Sequence, residues 1–445
     1  MNVAIIGSTH AGTIAATQIK AEYPDATITI FEKNTTVSFL SCGIALWVGH
    51  HVSDAQRMFY ATPESLTAQG INVKMQHEVI SADLTNKTIR YKNLLTEQLE
   101  TAIFDKIVLT TGSKPIIPNI PGINSDKIYL VKSWEDANRI KAVADQVKRV
   151  IVIGAGYIGA EIAEQFSLND KQVTLIDGMD RVLPKNFSPV MTERIEAAYT
   201  QHNVQLALGQ MVQSFTDTAD GITVTTDKGT YEADVVMLGI GFLPNTDLFA
   251  GQLAMMPNGA ILTNEYMETS QPDVFAAGDA TTIYYTPTQE NAYIPLATNA
   301  IRQGMLVAKN LCGHQLAYKG TQATSAVELY GNAMAATGLN LASAKAANID
   351  AVETVYEEDY RPDFMLTTTK VLSTLTWDKH SRRILGAAFM SQHDISQAAN
   401  VVSLAIQNQM TIDDLAMADF FFQPNFTQPI NFVGATALEA VNTKL

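Results

Sequence analysis

Two side chains in this chain could carry redox chemistry. Cys42 sits in Ser38-Phe39-Leu40-Ser41-Cys42-Gly43-Ile44, and His10 sits in Gly7-Ser8-Thr9-His10-Ala11-Gly12. A thiolate can attack an electrophile and pass reversibly through sulfenic acid, so one cysteine suffices for a two-electron cycle. A lone cysteine among apolar neighbours is ordinarily an inert core residue. Position argues otherwise here: Cys42 follows by ten residues an acid, Glu32, that closes a dinucleotide-type turn unit. Gly43 beside it permits close backbone approach. The sequence leaves open whether Cys42 begins a helix, which would favour its thiolate. The other cysteine, Cys312, in Lys309-Asn310-Leu311-Cys312-Gly313-His314, has no such setting and reads as structural or incidental.

The elements that must position these residues occur twice. Val3–Ile6 reads as a strand, Gly7–Gly12 as a turn, the stretch to about Glu22 as a helix, and Thr27–Phe31 as a second strand ending at Glu32. Val150–Ile153, Gly154-Ala155-Gly156-Tyr157-Ile158-Gly159, a helix to about Leu168, and Val173–Ile176 ending at Asp177 repeat the plan. An acid about 20 residues past the last glycine completes the dinucleotide fingerprint. Gly7 and Gly154 allow the tight turn, Gly156 lets backbone approach a pyrophosphate, and Gly12 and Gly159 let the helix lie close. The helix start offers unpaired N–H groups to phosphate. Glu32 and Asp177 can accept hydrogen bonds from ribose hydroxyls. The second copy is complete; the first has Thr9 where the middle glycine belongs.

Two dinucleotide sites imply two dinucleotides, and FAD with NAD(P) is the pair that commonly shares a chain, because a flavin accepts the hydride a nicotinamide gives up. Ile107-Val108-Leu109-Thr110-Thr111-Gly112-Ser113 and Val235-Val236-Met237-Leu238-Gly239-Ile240-Gly241 are apolar strands ending in small residues that let backbone lie against a cofactor. Pro115 and Pro244 follow them and are expected to stop further strand pairing. Asp273–Ala280 reads as a buried strand ending in Gly278-Asp279, where a carboxylate could meet a sugar-alcohol chain. A carboxylate at Asp177, with no arginine directly after it, favours NADH over NADPH.

Composition bounds the rest. A chain of 445 residues calls for two or three domains, and 47% hydrophobic with 17% charged residues is an ordinary globular balance. A net charge of −15 gives no footprint for nucleic acid and suits solubility. No run approaches the roughly 18 apolar residues of a membrane span. The N-terminal stretch lacks the basic start of a signal peptide, and two cysteines are too few for a disulfide framework, so the expected location is the cytoplasm. His50-His51 and the other histidines show no metal-ligand spacing with cysteine, and no metal is expected.

Taken together, Gly7–Thr13, Ser38–Gly43, Gly154–Glu161, Phe275–Asp279, Pro295–Ala300 and the tail Ala418–Phe426 resemble the pyridine nucleotide–disulfide reductase family. The likeness is to its single-cysteine branch of NADH oxidases, NADH peroxidases and coenzyme A-disulfide reductases, and it spans essentially the whole chain. Dithiol relatives carry a second cysteine five residues after the first and a His-Pro base near the C-terminus; here stand Trp47 and Gln423-Pro424. Thr9–Thr13, Lys132 and Tyr293–Thr298 look like the water-forming oxidases. Ser8 replaces a cysteine of many oxidases and matches the peroxidase, and Thr427–Asn431 departs from the usual tail.

The resemblance implies an α/β architecture of two Rossmann-like domains and a C-terminal α/β dimerisation domain. The FAD domain covers 1–113 and 250–322, the NAD domain 114–249, and the interface domain 323–445, which would build a homodimer. It implies FAD contacts from Gly7, Thr9, His10, Ala11, Gly12, Glu32, Lys33, Ser41, Cys42, Val79, Thr110, Thr111, Gly112, Lys132, Gly278, Asp279, Leu296, Ala297 and Thr298, with Phe426 offered to the partner's flavin site. NAD contacts would come from Gly154, Gly156, Tyr157, Ile158, Gly159, Glu161, Asp177, Gly178, Ile240, Gly241 and Phe242. Electrons would pass from NADH through FAD to O2, with Cys42 cycling between thiolate and sulfenate and His10 as acid–base or peroxide-positioning residue. NADH peroxidase is the nearest alternative. Coenzyme A-disulfide reductase follows, although its relatives use tail tyrosines where this chain has phenylalanines. A non-catalytic FAD/NADH redox sensor reporting through Cys42 is the third.

Overall fold

Apolar runs such as Val3-Ala4-Ile5-Ile6 and Val150-Ile151-Val152-Ile153 form strands buried on both faces, as parallel sheets require. The structure, a computed structural model, describes residues 1–444. The first sheet is parallel, in the spatial order Val274–Ala276, Lys106–Leu109, Asn2–Ile6, Thr27–Glu32, Asn72–Met75. Its last-arriving strand, Val274–Ala276, returns from far along the chain to pair with Lys106–Leu109. A second parallel sheet has the order Gln205–Leu208, Gln172–Asp177, Arg149–Ile153, Val235–Leu238, Ile128–Leu130. The predicted helices after the glycine turns span His10–Glu22 and Tyr157–Leu168.

Between these sheets the chain crosses twice, and here one expectation fails. Pro115 and Pro244 do not end strand pairing: Ser113–Pro115 and Phe242–Pro244 form a two-stranded antiparallel ribbon. Every strand of such a ribbon is an edge strand, so a residue without an N–H can face outward. The pairing runs on beyond both prolines, with Asn245 N–H donating to Gly112 C=O and Ile116 N–H to Gly241 C=O, each at 2.9 Å.

The third sheet is antiparallel, in the order Ser325–Leu329, Asn332–Gly338, Ile384–Ser391, Lys370–Asp378, Ala351–Asp359. Its alternation assigns two cores. Ala388 and Met390 face a cluster shared with Ala160 and Ala163 of the helix Tyr157–Leu168, while Ala387 and Phe389 pack with the helices Ser396–Gln407 and Phe432–Asn442. The shared cluster also takes in Phe39, Ile44, Ala45 and Val48, so the Cys42 segment is anchored where the second and third sheets meet. Of Phe420-Phe421-Phe422, which the sequence could not divide between core and interface, Phe420 packs against the interface-domain core while Phe421 and Phe422 are exposed. Among the described residues no helix is long and apolar enough to cross a membrane.

Candidate active site

Gly7 (φ 97°) and Gly154 (φ 106°) both adopt the left-handed conformation that makes the turn, confirming why glycine stands there. A Cβ on Gly12 would sit 2.0 Å from the Gly7 carbonyl oxygen, and one on Gly159 1.7 Å from the Gly154 oxygen. The close approach is thus to the turn's own backbone. Gly156 and Gly112 are the reverse case: a Cβ there would meet nothing within 4 Å and would project into open space.

The two acids are held alike. Ser8 N–H donates to Glu32 Oε2 and Asn34 N–H to Oε1, both at 2.9 Å. Ala155 N–H donates to Asp177 Oδ2 at 2.5 Å and Met179 N–H to Oδ1 at 2.6 Å. They differ in what is left over. Glu32, 4% exposed, also receives Ser8 Oγ–H at 2.9 Å and Asn34 Nδ2–H at 2.8 Å, so each oxygen already accepts two donors. Each Asp177 oxygen accepts one, which leaves acceptor capacity for a ribose diol. The Ser8 hydroxyl is therefore committed to Glu32.

Three helix starts at the glycine turns and the Pro295–Ala300 segment have no side-chain cap: Thr9 before His10–Glu22, Gly156 before Tyr157–Leu168, and Leu296 before Ala297–Asn310. The helices Trp134–Ala144 behind Ser133 and Ile412–Ala416 behind Thr411 carry full capping boxes, whereas Pro189–Gln201 and Ser396–Gln407 also lack a side-chain cap. Uncapped N–H groups are what a pyrophosphate accepts. Gly278 (φ 79°) is wedged against Ala11 and Ala300, bringing two of these helices together. Beside it, Lys132 Nζ donates to Ser113 Oγ at 2.9 Å and lies 3.3 Å from Asp279 Oδ2, while Ser113 Oγ–H donates to Asp279 at 2.8 Å. Lys132 Nζ also lies 4.4 Å from the centre of the Phe242 ring. Two buried oxygens nearby, Thr111 Oγ1 and Tyr293 Oη, have no partner within the protein. Buried polar atoms are rarely left unpaired, so this donor and acceptor set fits a polar cofactor such as FAD.

Cys42 lies in the 3₁₀ turn Ser41–Gly43, directly before the helix Ile44–Val48. Its thiol is exposed in the chain alone, yet partial burial pushes its pKa up and the Glu161 carboxylate adds to that shift. Glu161 is itself raised to about 7 by burial and by Glu164 one turn away. Trp47, at the position of the second thiol in dithiol relatives, stacks on Trp134 at 5.1 Å. His10 is pushed down by burial, with Lys132 acting in the same direction and Asp279 opposing, so its imidazole is neutral near pH 7. Its Nδ1 lies 3.2 Å from Tyr60 Oη.

The remaining expected residues fall as follows. Lys33 lies exposed beyond the strand end, and Val79 packs beside Phe31 and Leu109 on the first sheet. Ala11 is buried in that sheet's core; Leu296, Ala297 and Thr298 form the start of their helix. Tyr157 Oη pairs with Ser325 Oγ of the interface sheet at 2.8 Å, Ile158 packs beside it, and Gly178 faces Met211. Gly241 (φ 108°) and Ile240 lead into Phe242 on the ribbon. Phe426 is 64% exposed on the interface domain. Sequence reasoning gave no role to Tyr60, Ser113 or Tyr293. Ser113 carried a signal as a small residue ending a strand at a cofactor, and Tyr293 as the first residue of the family-like stretch Tyr293–Thr298, while Tyr60 carried none.

Two glycine-turn units on parallel sheets, with one thiol between them, define a two-dinucleotide flavoprotein reductase fold. The family model for pyridine nucleotide-disulphide oxidoreductases matches residues 1–304, and that for their dimerisation domain matches residues 326–431. The chain belongs to the pyridine nucleotide-disulphide oxidoreductase family. It is 49% identical over 443 residues to an NADH oxidase of Enterococcus faecalis, covering 99% of both chains. An NADH oxidase of Lactococcus lactis is 35% identical over 446 residues, covering 99% of this chain and all of the relative. Among solved structures, the water-forming NADH oxidase from Lactobacillus brevis bound to NADH superposes with a TM-score of 0.98 at 51% identity, over 99% of this chain and 98% of that one.

Proposed function

We propose that this protein is a water-forming NADH oxidase that uses FAD, NADH and the single thiol of Cys42, and that it works as a homodimer in the cytoplasm. The observation that carries the reading is one cysteine set between two dinucleotide turns, with Trp47 in place of a second thiol, in a chain 49% identical along its length to an NADH oxidase. We assign residues 1–113 and 250–322 to the FAD domain, 114–249 to the NAD domain and 323–445 to the dimerisation domain.

Gly7, Gly12, the start of His10–Glu22, Lys132, Asp279, Thr111 and Tyr293 would hold FAD; Gly156, the start of Tyr157–Leu168 and Asp177 would hold NADH. The chemistry the flavin supplies when bound is two-electron transfer from nicotinamide to oxygen. The chain's own contribution is at sulfur. Cys42 thiolate attacks H2O2 formed in the site: an S–O bond forms, the O–O bond breaks, sulfur is oxidised to sulfenic acid and a proton completes one water. A second NADH supplies the two electrons that break the S–O bond, returning thiolate and a second water. His10, neutral and beside the Lys132–Asp279 pair, exchanges the protons these steps need.

Oxygen uptake and H2O2 release measured together under NADH test this reading. The native enzyme should consume about two NADH per O2 with little peroxide, and Cys42→Ser about one NADH per O2 with about one H2O2 released, because serine cannot form a sulfenate. A variant that still makes water makes Cys42 structural. A native enzyme inert to O2 but active with H2O2 is a peroxidase.

A further inference from the structure

We propose that Tyr60 positions His10, holding its imidazole as the Nδ1–H tautomer so that Nε2 is left as the ring's proton acceptor. The inference rests on the reading of His10 as the proton carrier. It follows from a count of protons. Tyr60 Oη lies 3.2 Å from the Thr9 carbonyl oxygen and 3.2 Å from His10 Nδ1. A carbonyl oxygen only accepts, and a phenol has one proton, so that proton goes to Thr9. The Tyr60 oxygen then faces Nδ1 with a lone pair, and Nδ1 must carry hydrogen. A neutral imidazole has one N–H, so Nε2 is bare. The charged and titratable groups around the ring are Asp279, Lys132 and Tyr60; burial and Lys132 lower the imidazole pKa against Asp279, and the phenol, pushed above its ordinary range, is protonated at neutral pH.

Packing does not explain Tyr60. It is 41% exposed, and its ring lies nearly parallel to that of His10, with 5.9 Å between centres and 12° between planes. The segment that carries it is laced to the Cys42 loop. Phe59 bridges Phe39, Leu40 N–H donates to Met58 C=O at 2.8 Å, and Ser38 Oγ both donates to Ala61 C=O and accepts from Ala61 N–H. Ser38 N–H in turn donates to Ser8 C=O at 2.8 Å. Tyr60 therefore references the imidazole to the same short ladder that fixes the approach to Cys42, across 50 residues of sequence.

The test is the tautomer of His10 in resting, FAD-loaded enzyme. With 15N-labelled histidine, long-range proton–nitrogen correlation spectra should show a protonated Nδ1 and a bare Nε2, assigned to His10 by their loss in His10→Gln. Tyr60→Phe keeps the ring and removes the hydroxyl; both nitrogen signals should move toward the tautomer average. NADH oxidation under O2 should fall about threefold to tenfold in kcat, the worth of one neutral hydrogen bond, with KM for NADH unchanged. A proton on Nε2 in the native enzyme overturns the proposal, and so does a Tyr60→Phe spectrum identical to the native one. The native spectrum decides even if the variant does not fold. No turnover is needed for it, so its failure is separate from failure of the oxidase reading, which the Cys42→Ser stoichiometry tests.

Discussion

Replacing Asp177 by alanine should narrow the preference for NADH over NADPH by about a hundredfold or more. Both carboxylate oxygens are fixed by backbone N–H groups, of Ala155 at 2.5 Å and Met179 at 2.6 Å, and each keeps one acceptor position for a ribose hydroxyl. Two charge-assisted bonds are worth about 1.5–3 kcal/mol each, part of which water restores at this half-buried position. The expected loss in kcat/KM for NADH is about 10- to 100-fold, mostly in KM. NADPH gains from the same change. A phosphomonoester carrying about −1.5 to −2 charges, about 5 Å from a carboxylate at an effective dielectric of about 20–80, is repelled by about 1–7 kcal/mol. Asp177→Ala removes that repulsion and leaves the Ala155 and Met179 N–H groups free to face an anion. Initial rates with each nucleotide, followed by loss of reduced-nicotinamide absorbance, give the ratio directly. A native enzyme that uses NADPH as well as NADH, or a variant with the native ratio, refutes the reasoning.

The purified protein should be yellow, with one FAD per chain released on denaturation, and should sediment as a dimer of 48.4 kDa chains. Gly12→Val should lose the flavin and about 3 kcal/mol or more of stability, because the new Cβ meets the Gly7 carbonyl at 2.0 Å and Thr110 Oγ1 at 2.7 Å and backbone cannot give way; a stable yellow variant refutes this. Glu161, raised from 4.5 to about 7, binds more protons folded than unfolded across that window, so its contribution is present below about pH 4.5 and is lost as pH rises toward 7. Glu161→Gln mimics the protonated form and should raise Tm at pH 8 but not at pH 4; equal gains at both pH values would show that the carboxyl does not titrate as described.

The parts of the site written in short stretches were legible from sequence. Gly7–Gly12 with Glu32, and Gly154–Gly159 with Asp177, announce themselves because a turn, a helix start and an acid must fall at fixed spacing along one chain. Tyr60 could not be found that way. It meets His10 across 50 residues, and nothing around Met58-Phe59-Tyr60 marks it as more than an aromatic run. Ser113 reaches Asp279 across 166 residues for the same reason. Pro115 and Pro244 misled because a missing N–H was taken to end pairing, whereas in a two-stranded ribbon it can face away from the partner strand. The thiol's environment was also invisible: Glu161, read only as a nicotinamide-side residue, raises the Cys42 pKa from a neighbouring helix.

The ribbon joining Ser113–Pro115 to Phe242–Pro244 has a consequence for how such a molecule can be rebuilt. The polypeptide leaves the first sheet and comes back to it on two strands that are hydrogen-bonded to one another, hence about 5 Å apart. The chain enters and leaves everything between them through this one paired stem, while the helix Tyr157–Leu168 packs on the third sheet and on the Cys42 segment. A tight hairpin from Lys114 to Leu243 would close the stem with that whole unit removed, and another unit with equally close ends could be grafted in its place. Because Lys132 is the inserted segment's charged reach back to Asp279, a graft must supply an equivalent lysine. The inserted unit is in this sense a cassette, exchangeable only for one that also presents an apolar face to the Cys42 segment and the third sheet.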